Sequence, residues 1–175
     1  MNLSARKLAW AGVLIALAIV LKLPILSVPN VEFLTFVIFS SGYLLGIFEG
    51  MMVGIISMSI YTSIITPYGL PPLPIAAAQI LSMAVTGFAG GLISRLGLLK
   101  LLESFLPYLI MGLLGLALTV VYDFLTNLAV AYVMGQFAPV MIAAIPFVAI
   151  HLLSNFVIFL VFTPLLLKVS QASPV

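Results

Sequence analysis

The chain has 175 residues, of which 65% are hydrophobic and only 6% charged, with a formal net charge of +2 and a mean hydropathy of +1.41. A soluble domain carries about a quarter charged residues, so this composition excludes an ordinary water-facing surface. The absence of cysteine excludes disulfides and thiolate metal sites. A membrane β-barrel is disfavoured as well, because the runs 8–21 and 142–150 do not alternate between apolar and polar residues as barrel strands do.

At roughly 20 residues per span, the chain has room for about six helices in one domain covering residues 1–175 and for almost nothing else. The first span is expected over residues 8–26, closed by Pro24 and Pro29. Arg6 and Lys7 ahead of an apolar run resemble a signal peptide, but the run is long and lacks a small-x-small cleavage site, so it reads as a membrane helix. A second span covers 33–48, and Glu49-Gly50 turns the chain into a short third span, 51–65. The segment 66–74 then carries four prolines and a glycine, which forbid a continuing helix. The fourth span covers 75–93. The fifth fills much of 103–134, where Pro107, Gly112 and Gly115 point to a tilt, a kink or an interfacial first turn. The sixth covers 140–167.

Six spans with both termini in the cytoplasm put Arg6, Lys7, Arg95, Lys100 and Lys168 on the inner face and leave Lys22 alone toward the outside. That arrangement obeys the positive-inside rule, so the basic residues read as topology markers and no nucleic-acid partner is expected. No internal repeat supports an inverted-repeat transporter.

Ala5, Ala9, Gly12 and Ala16 recur at helical spacing along span one. Small-residue stripes let helices approach closely in lipid, and this one suits either packing within the chain or docking onto a second membrane protein. Polar residues inside the later spans are more telling, since an ionisable group at bilayer depth lines a cavity or pairs. Asp123 and Asn127 share a face of span five, and His151 and Asn155, beside Ser154, repeat the spacing on span six. Antiparallel neighbours joined by a tight turn bring these pairs to a common depth. One reading is simple pairing of Asp123 with His151, the asparagines being interhelical glue worth about 0.6 kcal/mol each. The other is the floor of a ligand pocket, to which Gln79 adds an amide and Glu32 a carboxylate above. Phe33, Tyr43, Tyr61 and Tyr68 suit stacking on a flat ligand or a place in the headgroup belt.

One histidine without cysteine disfavours a transition-metal site, and no phosphate loop or nucleophile elbow is present. The chain therefore reads as neither an ATPase nor another enzyme, with no cofactor.

In the order Ala5-Arg6-Lys7-Leu8-Ala9, Val28-Pro29-Asn30-Val31-Glu32, Gly69-Leu70-Pro71-Pro72-Leu73-Pro74 before Ala78-Gln79, Tyr122-Asp123 through Asn127, and Pro146-Phe147 with His151 through Asn155, the sequence resembles the S component of energy-coupling factor (ECF) vitamin transporters. The resemblance covers nearly the whole chain. It implies a prokaryotic cell-membrane protein that captures a small organic micronutrient beneath the external loops. It also implies a membrane T subunit docked on the span-one stripe and two cytoplasmic ATPases that supply energy. Metal-transporting members carry an N-terminal histidine motif that is lacking here, which points to an organic ligand, with a cobalamin-like molecule as the first expectation. The competing readings are an autonomous proton- or ion-coupled carrier built on Asp123 and His151, and a membrane scaffold without a ligand.

Overall fold

An apolar run with glycine only at position 12 favours a continuous first helix, and α1 spans Ala5–Lys22 before Pro24 tightens the chain into a 3-10 turn, Leu23–Ile25. The computed structural model describes residues 5–25, 28–66, 69–97, 99 and 105–172. The expectations resting on Tyr68, Lys100 and Glu103 lie outside these. α2 (Leu34–Leu45) and α3 (Ile47–Ile60) are joined by Gly46 alone, at φ 117° and ψ 172°, a backbone setting that only glycine adopts freely. α3 ends in a π-helical turn, Tyr61–Ile65, where the Thr62 hydroxyl donates back to the Met58 carbonyl at 2.8 Å.

α4 (Leu73–Leu96) begins with Pro74 in its first turn, where a missing N–H costs nothing. α5 (Leu106–Met134) and α6 (Phe137–Ala172) form a long hairpin turning at Gly135. Five of the six helices are long and apolar enough to cross a membrane once the flanking 3-10 and π turns are counted with α1 and α3. The exception, α2, has 12 residues, about 18 Å of helix.

α2 is short because it is central. It touches all five other helices, and every residue in it except Leu44 is buried. One side, Leu34, Val37 and Ile38, packs with Leu14 and Ala18 of α1, Val53 and Met58 of α3 and Met83 of α4. The other, Phe36 and Phe39, packs with Met111 and Leu118 of α5 and Phe159 of α6. The Phe36 and Phe159 rings meet edge to face at 5.2 Å.

Glycine makes the tightest contacts. A β-carbon at Gly42 would strike the Gly87 carbonyl, one at Gly50 would strike Gly42 and Gly87, and one at Gly90 would strike the Phe39 carbonyl. The backbones of α2, α3 and α4 thus touch directly, as small residues permit in lipid. α5 runs unbroken through the expected breakers. Pro107 sits in the first turn, and Gly112 and Gly115 are seats for the Phe156 and Phe159 rings, which would lie 2.9 and 2.6 Å from an added β-carbon.

The outward faces are apolar throughout: Leu8, Val13, Val20, Leu81, Phe124, Ile142, Leu153 and Val161 are all exposed. Helices hydrophobic on every side belong in lipid or in a large core, and a single 175-residue chain has no large core to offer. This is an all-α, membrane-embedded protein.

Candidate functional site

The polar residues gather at the end of the molecule where α1 finishes and α2 begins. Lys22, in the last turn of α1, is buried, and its ammonium lies 3.2 Å from Glu32 Oε2. The same ammonium sits 5.5 Å from the centre of the Tyr61 ring, within reach of a cation–π attraction. Glu32 Oε1 accepts a 2.6 Å hydrogen bond from Thr35 in the first turn of α2. Glu32 is only 6% exposed, although it lies in a loop between two helices. Burial raises its pKa, but Lys22 beside it, with His151 and Thr35, outweighs that and holds the carboxyl well below the usual carboxylate range.

The other side of Glu32 faces α6. His151 Nε2 lies 3.6 Å from Glu32 Oε1, while Nδ1–H donates to Asp123 Oδ1 of α5 at 2.9 Å. Tyr122 stands edge-on to the imidazole, with ring centres 5.7 Å apart and planes at 90°. Lys22, Glu32, His151 and Asp123 therefore form one buried line of alternating groups drawn from α1, the α1–α2 loop, α6 and α5. A charge removed from water is tolerated when it is paired and hydrogen-bonded, and this line supplies that pairing.

Asn30 fastens the loop over the cluster. Its backbone adopts φ 59°, in the left-handed region that asparagine tolerates better than most residues. Its side chain donates to the Phe147 carbonyl at 2.8 Å, and its own carbonyl accepts from Ser154 Oγ at 2.9 Å. Both contacts are to α6.

Beside the charged line lies a cavity of about 410 Å³, bounded by the Asn30–Glu32 loop, the Pro71–Pro72 segment, Lys22, Tyr61, Gln79, Tyr122 and His151. That volume is in the range of pockets that enclose small molecules. A smaller space of about 270 Å³ adjoins it, sharing Asn30, Gln79 and Tyr122 and reaching Asp123 and Asn127. Several buried polar atoms here have no hydrogen-bond partner among the described residues: Gln79 Oε1, Asp123 Oδ2 and His151 Nε2. Unpaired buried polar atoms are uncommon and mark places where a ligand or water belongs.

Of the six expected site residues, Glu32, Gln79, Asp123 and His151 converge. Asn127 lines the smaller space and a lipid-facing cleft between α5 and α6, away from the larger cavity. Asn155 is wholly buried one turn beyond His151 and lines none of these spaces. Its amide has no partner on either atom among the described residues, so it supplies no interhelical hydrogen bond among them. Lys22 was the residue that sequence reasoning missed. It stood out only as the single cation against the charge bias, ten positions before Glu32.

On α1, Ala5, Ala9, Gly12 and Ala16 are all exposed, and nothing lies within 4 Å of a β-carbon built on Gly12. The helix packs inward through Leu14, Ala18 and Lys22 instead. The stripe is left outside the bundle.

Comparison with known proteins gave no match, whether to a family model, a curated protein or a solved structure. The class defined by fold and site is a membrane-embedded helical bundle with a polar cavity at one end.

Proposed function

We propose that this protein is the substrate-capture subunit of an ECF-type importer, binding a small organic micronutrient in the cavity beside Glu32 and His151. The observation that carries the reading is the cavity of about 410 Å³ beside Glu32 and His151, lined by buried polar atoms that have no hydrogen-bond partner among the described residues. In this reading five helices span the cell membrane of a prokaryote and the short α2 crosses within the protein-lined centre of the bundle, so that both termini are cytoplasmic and the cavity opens outward. The outward stripe Ala5, Ala9, Gly12 and Ala16 receives the T subunit, and two ATPases bound to that subunit supply the energy. The ligand in this reading is a vitamin or related organic micronutrient, with a cobalamin-like molecule as the first candidate.

Thermal unfolding of the purified protein against a panel of vitamins tests this. A ligand at 100 times its dissociation constant adds about 2.7 kcal/mol of stability. A clear upward shift with one compound is expected, and no shift with any of them overturns the capture reading.

The continuous line Lys22–Glu32–His151–Asp123 favours one other reading, a self-sufficient proton-coupled carrier, since chains of ionisable groups within a membrane also relay protons. Uptake by the lone protein in liposomes, driven by a pH gradient, would establish the carrier. Uptake only after addition of T and ATPase subunits would exclude it.

A further inference from the structure

Unused hydrogen-bonding capacity is concentrated around the smaller space of about 270 Å³. Gln79 Oε1, Asp123 Oδ2 and Thr126 Oγ1 belong to residues that border it, and each atom is buried with no hydrogen-bond partner among the described residues. Asp123 is only 8% exposed, and its other oxygen, Oδ1, is taken by His151 Nδ1–H. His151 Nε2 is likewise unpartnered, but His151 borders the larger cavity and not this space.

A carboxylate and an amide oxygen accept hydrogen bonds and cannot donate them, so an occupant of this space must bring donors. Charge points the same way. Lys22 and Glu32 form a pair at 3.2 Å, which leaves Asp123 with His151 as its one ion-pair partner among the described residues. Buried charges are normally paired and hydrogen-bonded throughout. A primary ammonium carries a positive charge and three donors without an acceptor, and it answers both needs.

On its other side the space runs into the α5–α6 cleft of about 370 Å³. Asp123, Asn127, Ala144 and Val148 line both. Elsewhere the cleft is apolar, and Phe124 and Ile145 along it are exposed on the lipid-facing surface. A water-soluble cation would leave that apolar length empty, whereas a hydrocarbon chain fills it.

We infer that the smaller space and the α5–α6 cleft form one site for a single-chain amphiphile with a primary ammonium head. Asp123 Oδ2 and Gln79 Oε1 receive the head, and the chain lies along Phe124 and Ile145 toward the bilayer. The occupant comes from the membrane, so the site stands whether or not the larger cavity captures a micronutrient.

The test uses the full-length protein in phosphatidylcholine nanodiscs, a bilayer without primary amines. The probe is a long-chain primary alkylamine with a diazirine in its chain, and its attachment sites are mapped by mass spectrometry. Dodecylammonium, dodecanol and dodecyltrimethylammonium compete at equal concentrations in the bilayer, and ethylammonium competes from water. Dodecanol lacks the charge, dodecyltrimethylammonium lacks the N–H, and ethylammonium lacks the chain. Label should concentrate on cleft residues such as Phe124 and Ile145, and dodecylammonium should displace it at least about tenfold more effectively than the other three. Asp123→Asn should erase the preference for dodecylammonium over dodecanol. Ala144→Phe fills the junction of the two spaces, lies outside both ion pairs, and should remove the enrichment of label at the cleft. If Asp123→Asn does not fold, Ala144→Phe and the native competition decide. Displacement by dodecanol, dodecyltrimethylammonium or ethylammonium as effective as by dodecylammonium overturns the inference. Label spread evenly over the exposed faces of α1 and α4 overturns it too, and neither result bears on capture in the larger cavity.

Discussion

The α2–α3–α4 seam and the Lys22–Glu32–His151 end of the molecule solve opposite problems with opposite means. At the seam, Gly42, Gly50 and Gly87 bring three backbones into contact, and not even a methyl group fits between them. At the other end, the helices part around about 410 Å³ of space, and buried polar atoms stand without partners. Close packing and unused hydrogen-bonding capacity are thus segregated. The lesson is that a small membrane protein can keep a costly polar cavity when the rest of the bundle is packed closely enough to hold its walls.

Overfilling the seam is the strongest way to break that contrast. Gly87→Leu must drive a side chain into the Gly50 carbonyl and should destabilise the protein by at least about 3 kcal/mol, enough to abolish folded yield. Unfolding in detergent, followed by circular dichroism, measures it, and a well-folded Gly87→Leu protein would refute the seam as the rigid element.

A smaller effect is expected at the polar end. Lys22→Met leaves Glu32 buried without its main counter-charge and should cost about 3 kcal/mol. Lys22→Met combined with Glu32→Leu should recover most of that, because removing both members of a buried pair is often close to neutral. Equal losses in the single and double variants would show that the two side chains do not act as a pair.

The pH dependence has a definite sign. The Glu32 pKa is lower in the folded chain than its ordinary value of 4.5. Its contribution to stability is therefore complete above about pH 4.5 and is lost as the pH falls below that toward the folded-state value. An acid titration of the unfolding midpoint should show a loss in the wild-type protein that Glu32→Gln lacks.

The smallest change is of opposite sign. Asn155 is wholly buried with neither amide atom paired, so Asn155→Leu should raise stability by about 1 kcal/mol. A substantial loss would mean that the amide has a partner in the membrane-embedded protein.

The helices were legible in the sequence because lipid forces the backbone to satisfy itself, but not every glycine or proline ends one: the turn expected at Glu49-Gly50 falls instead at Gly46, and Pro146 lies inside α6. The expected third, fourth and sixth spans, for instance, lie within the observed helical segments Ile47–Ile65, Leu73–Leu96 and Phe137–Ala172. The pairing of Asp123 with His151 was legible from four-residue spacing on two adjacent antiparallel helices. Asn155 followed the same spacing but differs in outcome. One turn along α6 carries a side chain past the parting of the helices and into the packed interior.

The role of Lys22 was hidden for a different reason. Charge bias describes where a cation ends up relative to the membrane, and says nothing about which carboxylate the folded loop brings to it. The seam was hidden too, since Gly42, Gly50 and Gly87 come from three helices and acquire meaning only when those helices cross.

Asn30 has a consequence for the register of the site. One residue holds two hydrogen bonds to α6, through its side chain and through its carbonyl, and both depend on a single left-handed backbone setting. Because both bonds run to α6, this residue fixes the α1–α2 loop to the same helix that carries His151. The loop that carries Glu32 to Lys22 is thereby held in register with the His151–Asp123 pair by a residue that belongs to neither ion pair.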